Sequence, residues 1–205
     1  AGGPALLAAL DRWGIPLTEP PADVLAYLAP HTTRLGRRAD ARLGRFPSWT
    51  LFRTDLLRAE WIVVWRDIAP RVEAALLHRS EASDPIPLNT CYGVAAPDEA
   101  TGERLIAYLN SRLIRSLAAA TAERASGGAY RFSAATIGAL PLPSDFESRS
   151  CRTLESIGRE AARGEPHDAD DLDAHAALAL GLDADTTARL AFIGDALCGD
   201  AGGHR

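Results

Sequence analysis

At 205 residues, with 47% apolar content and a formal charge of −5, the chain can hold one core-bearing domain, with or without an appendage. No apolar run approaches the length that spans a bilayer, and residues 5–10, which meet Asp11 and Arg12 at once without a basic leader, read as a helix start and not as a signal peptide. Cys91, Cys151 and Cys198 are odd in number, far apart and without a Cys-x-x-Cys, which reads as reduced thiols of a cytosolic protein.

In chain order, helices are expected over 4–13 and 21–43, the second entered through Pro20-Pro21 and marked by Val24, Leu25, Leu28 and Leu35. Strands are expected at 49–53 and 60–66, where Trp61, Val63 and Trp65 alternate with Ile62, Val64 and Arg66. Trp49, Trp61 and Trp65 read as core residues, because alternation buries one face. Pro85 and Pro87 indicate that the next strand, near 86–95, begins at a sheet edge. Asp98 can cap a long helix over 99–122, with Leu105, Ile106, Leu109, Leu113 and Leu117 at helical spacing. Residues 137–143 read as a final strand or strap. Helices follow at 148–163, 169–180 and 184–197, with Gly181 as a left-handed stop and Asp183 or Asp185 as the next cap.

Between the long helix and the strap lies Ser126-Gly127-Gly128-Ala129-Tyr130-Arg131-Phe132-Ser133. Adjacent glycines free the backbone for positive φ or for close approach to another surface. Tyr130 and Phe132 alternate about Arg131, so the rings face the core and Arg131 faces outward. A cation between two rings suits the face of a nucleic acid, where guanidinium and aromatic groups pair and stack. By residue chemistry alone the run fits better a helix-to-strand turn whose aromatics fill a core.

Charge is unevenly spread. Residues 31–79 hold ten Arg against five acids, a net of +5, while residues 145–200 hold thirteen acids against five Arg, a net of −8. One part can therefore meet phosphate while the other keeps the chain in solution, so residues from 148 onward are expected to stand clear of DNA. Arg34, Arg37, Arg38, Arg42 and Arg45 crowd the end of the second helix, where they also complement the helix dipole. All 22 basic residues are Arg; Arg is the better bidentate reader of guanine and phosphate, and a GC-rich genome enforces the same bias.

The run Leu105-Ile106-Ala107-Tyr108-Leu109-Asn110-Ser111-Arg112-Leu113, the Gly-Gly-x-Tyr-Arg-Phe turn and Leu140-Pro141-Leu142-Pro143 together resemble the target recognition domain of adenine-N6 DNA methyltransferases. The likeness is to type II restriction–modification enzymes with methylase and nuclease on one chain; type I specificity subunits have a related ending. Residues 47–53, 61–68 and 86–92 resemble successive strands of that domain, and Leu172-Asp173 with Gly181-Leu182 its terminal helical pair. The resemblance implies an α+β fold: a helical arm over 1–46 coupling to a methylase domain, a recognition core over 47–145 built as a twisted mixed sheet crossed by the long helix, and an acidic helical extension over 146–205. It implies sequence-specific recognition of double-stranded DNA for adenine-N6 methylation in restriction–modification or phage defence. Arg45, Arg53, Arg66, Arg124 and Arg131 would contact DNA, and Ser126, Gly127, Gly128 and Tyr130 would shape the turn.

The methylase motif of that family, Asn or Asp followed by Pro-Pro and an aromatic, has no counterpart here, nor has a glycine-rich loop for S-adenosylmethionine. With no Lys there is no Asp/Glu-x-Lys nuclease signature, and there is no Walker loop or Gly-x-Ser-x-Gly elbow. Catalysis and the methyl donor are therefore expected on a separate methylase domain or subunit, and no cofactor or metal on this chain. His167 to His175, rich in Asp, lacks the spacing of a calcium loop and reads as acids at a helix start. The alternative is a protein–protein module that docks through its helical ends without touching DNA.

Overall fold

A computed structural model describes residues 9–11, 15–50, 55–80, 85, 87, 90–146 and 148–198. It divides into two compact units, Ala1–Ala59 and Glu60–Arg205.

In the first unit the chain turns back early: Leu10 bridges Pro16, and Asp11 N–H donates to Ile15 O at 2.8 Å. The described part of the expected helix 4–13 is thus extended, and the rest lies outside the described residues. The helix expected over 21–43 is broken into α1 (Ala22–Leu28), a 3-10 turn (Ala29–His31), α2 (Thr32–Gly36) and α3 (Ala39–Arg42). Pro30 explains the first break, since it has no N–H for the ladder and its ring crowds the preceding turn. At the second, Arg38 is extended and its guanidinium donates to Thr50 O at 2.7 Å, so a tertiary contact replaces the helix. Trp49 is half-buried in a turn rather than a strand, and residues 51–54 lie outside the described residues.

In the second unit β1 (Trp61–Arg66) forms as its alternation predicts. A short strand, β2 (Ile68–Ala69), follows it. β1 pairs antiparallel with β3 (Ala74–His78) and with β4 (Cys91–Ala96), in the order β3–β1–β4. Val63 faces Leu76 on one side and Val94 on the other. Trp65 is buried, whereas Trp61 is partly exposed and stacks on His78 at 4.2 Å.

The long helix expected over 99–122 is two helices, α4 (Glu99–Asn110) and α5 (Arg112–Thr121). Asp98 caps the first, accepting Thr101 N–H at 2.7 Å. Ser111 breaks the run by taking an extended conformation, and its hydroxyl donates to Tyr108 O while accepting Ile114 N–H. β5 (Glu123–Arg124) and β6 (Tyr130–Arg131) complete a second sheet of order β2–β6–β5, again antiparallel. The class is α+β, as expected, but every described ladder is antiparallel and lies in one of two small sheets, where the sequence suggests one mixed sheet.

The strap expected at 137–143 begins instead as the end of α6 (Ala134–Gly138), because Ser133 caps a turn by accepting Thr136 N–H. α7 (Arg149–Ala162), α8 (Ala169–Leu180) and α9 (Ala184–Cys198) form where predicted; Gly181 stops α8 at φ 68°, and Asp183 is the cap of α9, accepting Thr186 N–H at 2.7 Å.

α4 packs between the first sheet and α7. A Cβ on Gly158 of α7 would stand 2.0 Å from Glu103 O, so these two helices touch backbone to backbone. Around that contact, buried Glu103 pairs with Arg159 at 2.9 Å, Arg159 with Glu155 at 3.0 Å, and Glu155 with buried Arg104 at 2.8 Å. Leu154, Ile157, Leu172 and Ala176 from α7 and α8 join Tyr108, Leu113, Ile114 and Phe132 in one core. The acidic helices are therefore structural partners of the sheet-bearing residues, and cutting the chain at Ser144 would open that core.

Candidate functional site

The β5–β6 hairpin is set by three local facts. Ala122 leaves α5 in an extended conformation, Arg124 pairs with Tyr130, and Ala125 N–H donates to Ala129 O at 2.8 Å. The loop so closed needs left-handed residues, and Gly127 (φ 72°) and Gly128 (φ 75°) supply them without the cost a side chain carries there. A Cβ on either would meet nothing within 4 Å, so these glycines serve torsion rather than internal packing, and the tip is bare.

The root of the hairpin is fixed firmly. Phe132 N–H donates to Asp67 O at 2.6 Å, and the buried Trp65 indole N–H donates to Phe132 O at 2.8 Å. Tyr130 and Phe132 are buried with ring centroids 6.1 Å apart, while Arg131 between them is exposed. The Arg124 guanidinium lies over the Tyr130 ring, 5.4 Å from its centroid, an arrangement worth about 0.5–1 kcal/mol at an exposed site. Tyr130 thus holds Arg124 and supports the turn; its ring has no open face for a base.

Arg124, Ser126, Gly127, Gly128, Tyr130 and Arg131 are brought together in this one hairpin. Arg66 ends β1, exposed, one residue before the Asp67 carbonyl that anchors Phe132. Arg45 belongs to the other compact unit, where it is exposed and 3.7 Å from Asp40. Arg53 lies outside the described residues. Two further residues share the hairpin's outer face: Ile68 and Glu123 stand directly opposite Arg131 in the neighbouring strands, and both are exposed. No sequence signal marks them, since strands of two residues have no alternation to read.

Other arginines of this unit are committed to the protein. Arg112 donates Nε–H to Asp173 at 2.6 Å and also pairs with Asp170. Arg115 donates to Val72 O at 2.8 Å and to Asn110 at 3.1 Å. The Arg104 guanidinium, and after it Arg159, holds the Glu155 carboxyl below the usual range, and burial pushes the Tyr108 hydroxyl, which donates to Pro141 O, well up. In the Asp-rich run, Asp168 accepts Asp170 N–H at 2.8 Å and caps α8. Among the described residues no three His, Cys, Asp or Glu side chains are grouped to hold a metal, and no helix is long and apolar enough to cross a membrane. A groove of about 380 Å³ lies between Leu142-Pro143 and the end of α8 at Leu178 and Gly181.

No protein-family model matches the chain, and no curated protein matches it.

Proposed function

We propose that this chain recognises double-stranded DNA sequence-specifically and serves adenine-N6 methylation in a restriction–modification or phage-defence system of the cytoplasm. The observation that carries the reading is the β5–β6 hairpin, a bare Gly-Gly tip on a rigid root that presents exposed Arg131, with exposed Arg66 one residue before the Asp67 carbonyl that anchors Phe132. The ordered resemblance along the sequence supports the methylation setting. S-adenosylmethionine and the methyl-transfer chemistry belong to a methylase domain or subunit, which in some such enzymes also carries a nuclease. Calorimetry of this chain alone with S-adenosylmethionine is expected to show no binding; a micromolar affinity would move the donor site onto this chain.

The direct test is a gel-shift titration of the full chain with mixed duplex DNA at low and moderate salt. Retardation is expected, with log affinity falling linearly against log salt, and Arg66→Ala is expected to reduce the slope by about 1. No retardation at ~100 µM chain in low salt, the weak limit of non-specific binding, would sink the reading. The second reading, a module that docks a protein through its helical end, draws on Leu178 and Phe192, which are 61% and 76% exposed on α8 and α9. It takes over if DNA binding fails while Leu178→Asp and Phe192→Asp abolish association with a partner.

A further inference from the structure

We propose that the outer face of the β2–β6–β5 ribbon reads a G·C base pair in the major groove, with Arg131 on the guanine and Glu123 on the cytosine. The inference rests on the DNA-recognition reading above and adds what that site specifies. In the ladder Arg131 stands directly opposite Glu123 on one side and Ile68 on the other, so the three side chains share one face, in adjacent strands about 4.8 Å apart. All three are exposed, Ile68 to 47%. Neither Arg131 nor Glu123 is engaged in an ion pair among the described residues.

The chemistry of that row fits a base-pair edge better than a backbone. A surface built to hold phosphate has no use for a carboxylate beside its cation, since Glu123 would repel the same anion that Arg131 attracts. In the major groove, guanine offers two acceptors, N7 and O6, which match the two parallel N–H donors of a guanidinium; cytosine offers an N4 amino donor, which matches a carboxylate. Side by side, Arg131 and Glu123 complement the two halves of one pair, and Ile68 is the apolar group that meets a thymine methyl on the neighbouring step. The β5–β6 hairpin, which carries both Arg131 and Glu123, is a two-stranded ribbon of the kind that fits a groove about 12 Å wide, its side-chain-free Gly127-Gly128 tip keeps the leading edge narrow, and β2 with Ile68 lies along its flank. Tyr130 and Phe132, buried on the opposite face, hold the row rigid from beneath.

The test is selection by the full chain from a randomised duplex pool, followed by affinity measurement on the enriched site and on each single-base variant of it. A fixed G·C pair is expected in the wild-type site. Arg131→Lys, which keeps the charge and loses the fork, should lose roughly 5- to 150-fold in preference for that pair with the salt slope unchanged. Glu123→Gln should relax the same position while binding random DNA at least as tightly as wild type. Circular dichroism checks that both variants are folded. If both select the wild-type site with the wild-type preference, Arg131 and Glu123 are only a cross-strand charge pair on the surface and the inference is wrong, with DNA recognition left intact. If the wild-type chain enriches no duplex at all, DNA recognition fails, and this inference falls with it.

Discussion

Between α4 and α7, buried Arg104 is held by Glu155, and half-exposed Arg159 by Glu155 and buried Glu103; on the β5–β6 hairpin, Arg131 stands in water opposite a carboxylate to which it is not bonded. The side chain is the same and the consequences are opposite. A buried guanidinium without its carboxylate is expensive, so Arg104 is fixed by the fold, and the buried Glu103 carboxylate in turn holds Arg159. The hairpin arginine costs the fold little and remains available to something outside it. Glycine shows the same contrast: Gly158 is required because there is no room, Gly128 because the torsion is left-handed in open space. In a chain whose 22 cations are all Arg, residue type says nothing about role, and neighbours decide it.

The contrast can be broken first at Gly158. Alanine is worth about 1 kcal/mol more than glycine inside a helix, yet here its Cβ meets the Glu103 carbonyl. Gly158→Ala is expected to destabilise by more than ~3 kcal/mol in urea unfolding, and a neutral or stabilising result would mean that α4 and α7 do not touch as described. Arg104→Ala strips Glu155 of a partner with 7% side-chain exposure and should cost about 3 kcal/mol, whereas Arg131→Ala should stay within ~0.5 kcal/mol. Equal costs for the two arginines would erase the distinction drawn above.

Acid acts on the α4–α7 interface through Glu155. The folded-state pKa of Glu155 lies below its ordinary value, chiefly through its hydrogen bond from Arg104. Its contribution is therefore fully present above the unfolded value, about 4.3, and is lost as pH falls through the folded one. Glu155→Gln should flatten the loss of stability below about pH 4.3 relative to wild type, as read from unfolding midpoints across that range. An unchanged acid limb would show that the carboxylate is not engaged. A modest effect is expected at the hairpin tip: Gly128→Ala should cost about 1 kcal/mol, confined to the hairpin, and should weaken DNA binding.

Elements bounded by local chemistry were legible from the residues. α8 has a capping Asp168 at one end and a positive-φ Gly181 at the other, and β1 is a short run of β-branched and aromatic residues that favours a strand. What escaped was decided at long range. The apolar spacing from Leu105 to Leu117 runs straight through Ser111, and the break there is secured by Asp173, far along the chain, which accepts the Arg112 N–H. β3 reads Ala-Ala-Leu-Leu-His, good helix formers without alternation; pairing to β1 and the Asn110 amide, which clasps both backbone groups of Ala74, override that preference. At the site, the outward position of Arg131 followed from the rings around it. Its companions Ile68 and Glu123 did not, because only the strand register places them beside it.

The carboxylate that closes the start of α5 has a consequence in time. Asp173 lies 61 residues after the Arg112 N–H that it satisfies. At ~5–20 residues per second of synthesis, the ribosome delivers that cap roughly 3–12 s after the helix it completes. During the wait the nascent chain shows an unsatisfied Arg112 N–H beside the Ser111 cap and the apolar flanks of α4 and α5 that α7, α8 and α9 later cover, the kind of surface chaperones hold and proteases cut. A circular permutation that places residues 149–198 first would have the cap waiting when α5 emerges.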